Sequence, residues 1–252
     1  LNILAPLRDK LVLSAAGANF MTGLVGNVSI PTYDGSTVGW AGEVDAAADG
    51  AGTFGEVELS PKRLTAYVDI SKQFLIQDSV SAEALLRKDI VDAISNKLEA
   101  TILGAEAGST TKPAGLFNAV VADEADITYK DIVAMEQKLE EANVSGNITF
   151  IASPYAKATL KTTAIGGTKS DVRMLMDSGE VDGYPVLVTN GMAKKGLILG
   201  NFNDLVIGQW GGIDLTVDPY TQAANGKIRL VVNAYFDAKP QRAASFVKKV
   251  LK

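Results

Sequence analysis

Asp34-Gly-Ser-Thr-Val38-Gly-Trp40-Ala-Gly-Glu43-Val44-Asp45-Ala-Ala-Ala-Asp49-Gly-Ala-Gly52-Thr-Phe54-Gly-Glu56-Val57-Glu58-Leu59-Ser-Pro61 is the stretch on which the reading of this chain turns. It is rich in Gly, Ala and acid and holds no Lys or Arg. Val38 and Trp40 alternate with small residues, and Val57 alternates with Glu56 and Glu58, so both ends read as strands. The middle, Asp45 to Gly52, reads as a tip. The simplest picture is a long two-stranded finger. Each arm of about 12 residues would reach roughly 40 Å at about 3.3 Å per residue. A lone hairpin is marginal in water. A finger with Trp40 and Phe54 near its tip therefore needs a surface to lie on, either its own domain or another subunit.

On the N-terminal side, residues 1 to 27 are apolar and irregular and read as an arm plus a short strand. Val28-Ser-Ile-Pro-Thr32 leads into the finger. On the other side Leu64, Ala66, Val68 and Ile70 alternate with Arg63, Thr65, Tyr67 and Asp69, the pattern of a half-buried strand. Ser71 to Gln77 is expected to begin a helix. The longest helix runs from about Ser81, its N-cap, to Leu103, with Glu83 in the first turn. Leu86, Ile90, Ile94, Leu98 and Ile102 recur every four residues, and Leu85, Val91 and Ala93 widen the stripe. Gly104 ends it, and Gly104 to Gly115 is a loop and a natural domain joint.

Thr128 with Asp131 forms a capping box with Asp in place of Glu, opening a helix to about Asn143 that buries Ile132, Met135 and Leu139. Ile148 to Ala152 is a strand. Ser153-Pro154 then sets the N-cap and first position of a helix to Thr162. The remainder is strand-rich: Pro185–Thr189, Leu197–Leu199, Leu205–Trp210, Ile213–Val217, Ile228–Tyr235 and Ala243–Val247, with Asn225-Gly226 as a turn. Helices early and strands late give an α+β class.

The 252 residues suffice for one large domain or two small ones. Cys and His are both absent, which excludes disulfides, thiolate chemistry, serine–histidine catalysis and the usual zinc ligands. A net charge of −5 argues against a dedicated nucleic-acid binder. No apolar run approaches 18 residues, so no membrane-spanning helix is expected. Between Lys10 and Lys62 the chain carries acids and no cations, whereas its tail carries Lys239, Arg242, Lys248, Lys249 and Lys252. Two solvated faces explain this. So does complementary charge between neighbouring copies, which would guide register.

Gly50-Ala-Gly52-Thr-Phe-Gly55 matches the dinucleotide fingerprint, but strand-like alternation follows it where a helix is required. Gly166-Gly-Thr-Lys169-Ser170 resembles the end of a phosphate loop without the required spacing. Asp204, Asp214 and Asp218 could gather as a metal or acid–base cluster, although acids at turns and strand ends explain them as well. Asp69 and Asp78 read as surface or cap residues. Trp210 and Tyr184 sit beside turns, where packing or subunit contact would use them. No cofactor, metal or catalytic residue is assigned.

The order of parts resembles the major capsid proteins of tailed bacteriophages, which share the Hong Kong 97 fold. The resemblance runs through the acidic loop ending in Leu59-Ser-Pro-Lys-Arg-Leu64, then Val68-Asp-Ile-Ser-Lys-Gln-Phe-Leu75, Asp78-Ser79 and the long helix. It continues through Gly108-Ser-Thr-Thr-Lys-Pro-Ala-Gly-Leu-Phe-Asn118, Ile151-Ala-Ser-Pro154 and Gly183-Tyr-Pro-Val-Leu-Val188. It implies an N-terminal arm (1–33), an extended β-hairpin loop (34–61), a peripheral domain with a long spine helix (62–116), an axial domain (117–211) and return strands of the peripheral domain (212–252). It also implies a non-enzymatic, icosahedral, self-assembling shell of hexamers and pentamers around double-stranded DNA without sequence-specific binding. Portal and scaffolding or protease partners, no membrane contact, synthesis in the bacterial host cytoplasm and a place in the virion go with it. Leu1 without an initiator Met agrees with the family habit of removing an N-terminal scaffolding segment, and equally with a shortened start.

In that family the extended loop lies over a neighbouring subunit. The apolar contacts expected of it here are Trp40, Val44, Phe54 and Val57, and the charged ones Glu43, Asp45, Asp49, Glu56 and Glu58. Some members crosslink a loop Lys to an Asn of another subunit. With no Lys between Asp34 and Pro61 that bond is not expected from the usual position, and Asn225 and Asn233 should be structural. An encapsulin-like nanocompartment shares the fold and is the alternative. A carboxylate- or metal-dependent enzyme is the alternative from another class.

Overall fold

The computed structural model describes residues 11–33, 35–44, 46, 48–73, 79–166 and 173–252; the side chains of 79–84 and 87 are outside it. In chain order come α1 (Val12–Ala15), β1 (Asn19–Leu24), β2 (Val28–Tyr33), β3 (Phe54–Leu59), β4 (Lys62–Ser71), α2 (Ser79–Ile102) and α3 (Tyr129–Glu141). Then follow β5 (Ile148–Ala152), α4 (Pro154–Thr162), β6 (Glu180–Val181), β7 (Tyr184–Val188), β8 (Gly196–Asn201), β9 (Leu205–Asp218), β10 (Lys227–Pro240) and β11 (Phe246–Val250).

The strands form a four-stranded sheet in the order β1-β9-β10-β4, a five-stranded sheet in the order β11-β8-β5-β7-β6, and the pair β2-β3. β1 runs parallel to β9. The other pairings of the first sheet are antiparallel. The five-stranded sheet explains its own composition. Ile151 and Ile198 point into a core shared with α2 and the four-stranded sheet. Phe150, Ala152, Leu197 and Leu199 point the other way, into a second core with α3 and α4. A strand covered on both faces has no reason to alternate, so β5 and β8 read as continuous apolar runs.

α2 is about 36 Å long at about 1.5 Å per residue. Ile90, Val91, Ile94, Leu98 and Ile102 are buried along one side. Each such side chain, fully buried, stabilises by roughly 1.5–3 kcal/mol. Two expected flank positions are not part of the stripe: Leu85 is 61% exposed and Ala93 is also exposed. Ser95 and Glu99 take buried places instead, and the Ser95 hydroxyl donates a hydrogen bond to the Val91 carbonyl one turn back. After Gly104 the chain makes an exposed excursion and returns to the helix end, where Leu116 N–H donates to Ile102 O at 2.8 Å and Phe117 N–H to Gly104 O at 3.0 Å. A Cβ at Gly115 would stand 2.1 Å from Gly104 O, so only glycine closes this neck.

The capping box at Thr128 and Asp131 is formed, and Ser153 Oγ accepts from Ala156 N–H with Pro154 at the first helical position. Asn225-Gly226 is the turn before β10, with Gly226 left-handed at φ 63°. The expected strands at 205–210 and 213–217 are one strand, β9, which passes through Gly211 at φ 63°. Residues 243–245 form a 3-10 turn, and the last strand starts at Phe246.

The expected division at 211 therefore falls inside a strand. Residues 212–252 do not stay in one sheet either, because β11 pairs with β8 of the five-stranded sheet. Leu11 and Leu13 are buried in the core shared with α2, so this end of the expected arm is part of the domain. No described helix is long and apolar enough to cross a membrane.

Candidate subunit-contact surface

The extended loop grows from a fixed root. Leu59 is fully buried with Val206 and Trp210, and Met21, Leu24, Val28 and Ile30 pack around them. Trp210 donates its indole N–H to Gly26 O at 2.5 Å. Where β3 turns into β4, Asp237 gathers the corner. Its carboxylate accepts Ser60 N–H at 3.0 Å and stands 2.6 Å from the Lys62 ammonium. Asp237 is 1% exposed and Lys62 10%. A buried pair so far apart in sequence leaves no local signal, so neither residue was among the expected contacts.

From the root, β2 and β3 pair over six positions, Val28 with Leu59 through Tyr33 with Phe54. The outgoing arm is thus Val28–Tyr33, which was expected only to lead into the finger. Val38 and Trp40, expected as strand residues, lie in irregular backbone. Their alternation is real, but a strand needs a partner as well as a pattern. Thr37 N–H still donates to Gly50 O at 2.9 Å, so the two sides stay together beyond the ladder. Tyr33 staples the neck. Its ring lies 4.6 Å from that of Phe54, and its hydroxyl accepts Gly52 N–H at 3.1 Å. Hydrogen bonds from Ser36 and Gly52 hold the Tyr33 phenol below its usual range.

The Gly50-x-Gly52 motif has a plain structural cause. A Cβ on Gly50 would stand 1.9 Å from Thr37 O, and one on Gly52 would stand 1.9 Å from Gly35 O. The glycines let two backbones touch, and β3 follows them where a dinucleotide site needs a helix.

Beyond this neck the apolar side chains are bare. Val38 is 98% exposed, Trp40 106% and Val44 95%. Phe54 is 83% exposed, and Val57 is half-buried towards the root. Glu43, Asp49, Glu56 and Glu58 are exposed around them, and Ser29 Oγ donates to Glu56 at 2.7 Å. Asp45 lies outside the described residues. Trp40, Glu43 and Val44 thus follow the Thr37–Gly50 bond in exposed, irregular backbone, and Phe54 to Glu58 lie along the stem.

The other candidates separate. Asp204 accepts from Ser245, Asp214 from Thr216, and Asp218 caps its turn by accepting Tyr220 N–H at 2.8 Å and Thr221 N–H at 3.1 Å. Among the described residues no three acids come together as a metal site. Asp69 forms a two-pronged pair with Arg229, which also lies over the Tyr67 ring at 4.2 Å. Asp78 and residues 167–170 of the loop at Gly166 are outside the described set. Asn225 donates to Gln222, and Asn233 sits in β10 between Thr65 and Asp214. Tyr184 is held in packing, its hydroxyl donating to Glu136 at 2.7 Å. That bond, with burial, pushes its pKa up to about 12.

The basic tail is partly spent within the chain. Lys249 bridges Asp123 at 2.8 Å and Asp131 at 2.9 Å, and Arg242 donates to Ala142 O. The Lys249 bond holds Asp123 below the usual carboxylate range. Burial alone would raise Asp131, but Lys249 and Thr128 bring it below that range too. A depressed carboxylate contributes stability above its unfolded pKa, near 4, and loses it as pH falls through the folded value. Lys249→Met should lower the urea midpoint at neutral pH, and the gap to the parent should stay open down to about pH 5 and close as the pH falls from about 4 through the lower folded values of the two carboxylates. A pH-independent gap would show that the lysine acts by packing alone.

Comparison with known proteins follows the same lines. A family model described as the phage capsid family matches residues 2–251. The major capsid protein of Halomonas phage phiHAP-1 is 28% identical over 249 residues, 95% of this chain and 40% of that protein. That of Klebsiella oxytoca phage phiKO2 is 25% identical over 228 residues, 82% of this chain and 53% of its own length. This chain therefore spans about half or less of these relatives. The solved capsid of a native GTA particle has a TM-score of 0.73 at 17% identity, covering 93% of this chain and 87% of the other. A chain from Microbacterium phage Oxtober96 has a TM-score of 0.74 at 13% identity, covering 96% and 91%. At such identities the likeness is one of fold.

Proposed function

The chain belongs to the phage capsid family, and from that membership we propose that it is the major capsid subunit of a tailed phage, a structural protein that assembles with copies of itself into a closed shell around double-stranded DNA. The observation that carries this is the extended loop: it is anchored by a buried root and carries Val38, Trp40 and Val44 almost fully exposed, with no described residue beneath them. Three apolar side chains held in water gain only when another surface covers them.

In this reading the loop lies over a neighbouring subunit of the same capsomer. α2 and the four-stranded sheet form the peripheral domain. The five-stranded sheet with α3 and α4 forms the axial domain, which meets its equivalents around five-fold and six-fold axes. The DNA is enclosed by shape, since the chain is acidic and its phosphates would be repelled. Portal, scaffolding and protease components act with the shell. Contacts are non-covalent and individually modest, and closed symmetry multiplies them.

Electron microscopy of the purified chain tests this. Closed shells, or five- and six-membered rings, are expected. A strictly monomeric species at high concentration would remove the proposal.

A further inference from the structure

The chain holds two Asn-Gly pairs, Asn190-Gly191 and Asn225-Gly226. An asparagine before glycine is the pair most open to spontaneous ring closure, because glycine has no side chain to shield its backbone nitrogen or restrict its rotation. The fold treats the two pairs differently. Asn225 ends the 3-10 turn Ala223–Asn225. Its side-chain amide donates to Gln222 Oε1 at 2.7 Å, and the Gly226 N–H donates to Ala223 O at 3.1 Å. Both reacting groups are occupied, one of them by a backbone carbonyl that moves only if the turn opens.

Asn190 lies in the turn between β7 and β8. Its side chain is exposed, and no described residue holds its amide. The Gly191 N–H donates to the Thr189 hydroxyl at 3.0 Å, a bond that one side-chain rotation releases. Packing explains why glycine stands at 191. A Cβ there would lie 3.1 Å from Glu99 Cγ and 3.2 Å from Ala100 N, so the turn rests directly on the last turns of α2. Met192 is buried in the core beyond it, and the Ala193 N–H donates to Leu103 O at 2.8 Å. The contact with α2 therefore demands the glycine that makes its exposed neighbour labile.

We propose that Asn190 is a site of spontaneous deamidation, and that its conversion loosens the turn between β7 and β8 from the end of α2. The Gly191 nitrogen loses its proton and attacks Asn190 Cγ. The N–Cγ bond forms, the Cγ–Nδ2 bond breaks, and Nδ2 leaves as ammonia. Water then opens the five-membered ring at either carbonyl, leaving an aspartate or an isoaspartate at position 190. No oxidant and no enzyme are required. Either product puts a carboxylate one residue from the Gly191–Glu99 contact, near the carbonyl end of α2, where negative charge is unfavourable. The isoaspartate also adds a carbon to the main chain beside Gly191, which has no slack over Glu99.

Peptide mapping of the full chain tests this. One sample is kept warm in mildly alkaline buffer, a second in mildly acidic buffer and a third in alkaline buffer with urea. Trypsin releases 190 and 225 on separate peptides, 174–194 and 196–227, and Asn190 is the asparagine of the first. In the folded alkaline sample the amide of 174–194 should be lost to the acid form while Asn225 persists. The acidic sample should keep both, and the unfolded sample should lose both. The alkaline-aged chain should then show a lower urea midpoint than fresh chain, and Asn190→Gln should age without that fall. Equal or faster loss at Asn225 in the folded chain, or no loss at Asn190, overturns the site. Full conversion at position 190 with an unchanged urea midpoint overturns the loosening.

Discussion

Replacing Asp237 by Ala should lower the stability of the unassembled subunit by about 3–5 kcal/mol, the cost expected when one partner of a buried ion pair is removed. The carboxylate is 1% exposed, and Lys62, its partner at 2.6 Å, is 10% exposed, so the ammonium left behind cannot easily reach water. Ser60 N–H loses its acceptor in the same step. Urea unfolding of the monomer measures the loss. Lys62→Met with Asp237→Leu should recover most of it, because a well-packed apolar pair commonly matches a buried ion pair in stability. The double variant should still assemble poorly, since nothing then holds the Ser60 corner that aims the loop. Full assembly by the double variant would show that the root apolar cluster aims the loop alone.

This corner marks the limit of what could be read from residue order. Features written within a few residues were legible: the four-residue repeat from Ile90 to Ile102, the Thr128–Asp131 box, the Ser153-Pro154 start, and the Asn225-Gly226 turn. Each is a local backbone choice, decided by the side chains that also announce it. Pairings made at a distance were not. Lys62 with Asp237 and Asp69 with Arg229 join residues with no local reason to be linked. The last strand was expected at Ala243–Val247 and forms at Phe246–Val250, and nothing in those residues says that it returns to β8. The outgoing arm of the β2-β3 pair was not legible either. Ile30 and Val28 look no more like an outgoing arm than Val38 and Trp40 do, and the packing of Ile30 against the root cluster decides between them. The expected contact residues were chosen by composition, which says which side chains are apolar or acidic and not what covers them.

Trp40→Ala should leave the monomer as stable as its parent and still raise the concentration needed for assembly by about 30-fold. The first half follows from exposure. At 106% accessible, the indole is covered by no described residue, and a surface substitution of this kind changes stability by less than about 0.5 kcal/mol. The second half follows from what a buried aromatic anchor is worth. Interface hot spots cost about 2 kcal/mol or more when truncated, and Trp is among the residues enriched there. Two kcal/mol corresponds to about 30-fold in a dissociation constant. Phe54→Ala should behave differently. Its ring rests on Tyr33 and is part of the stem, so a small loss of monomer stability should accompany any assembly defect. Light scattering against protein concentration, beside urea unfolding of the monomer, separates the two. Equal assembly thresholds for the parent and Trp40→Ala would remove Trp40 from the interface, and a large fall in monomer stability would mean that its role lies within the fold.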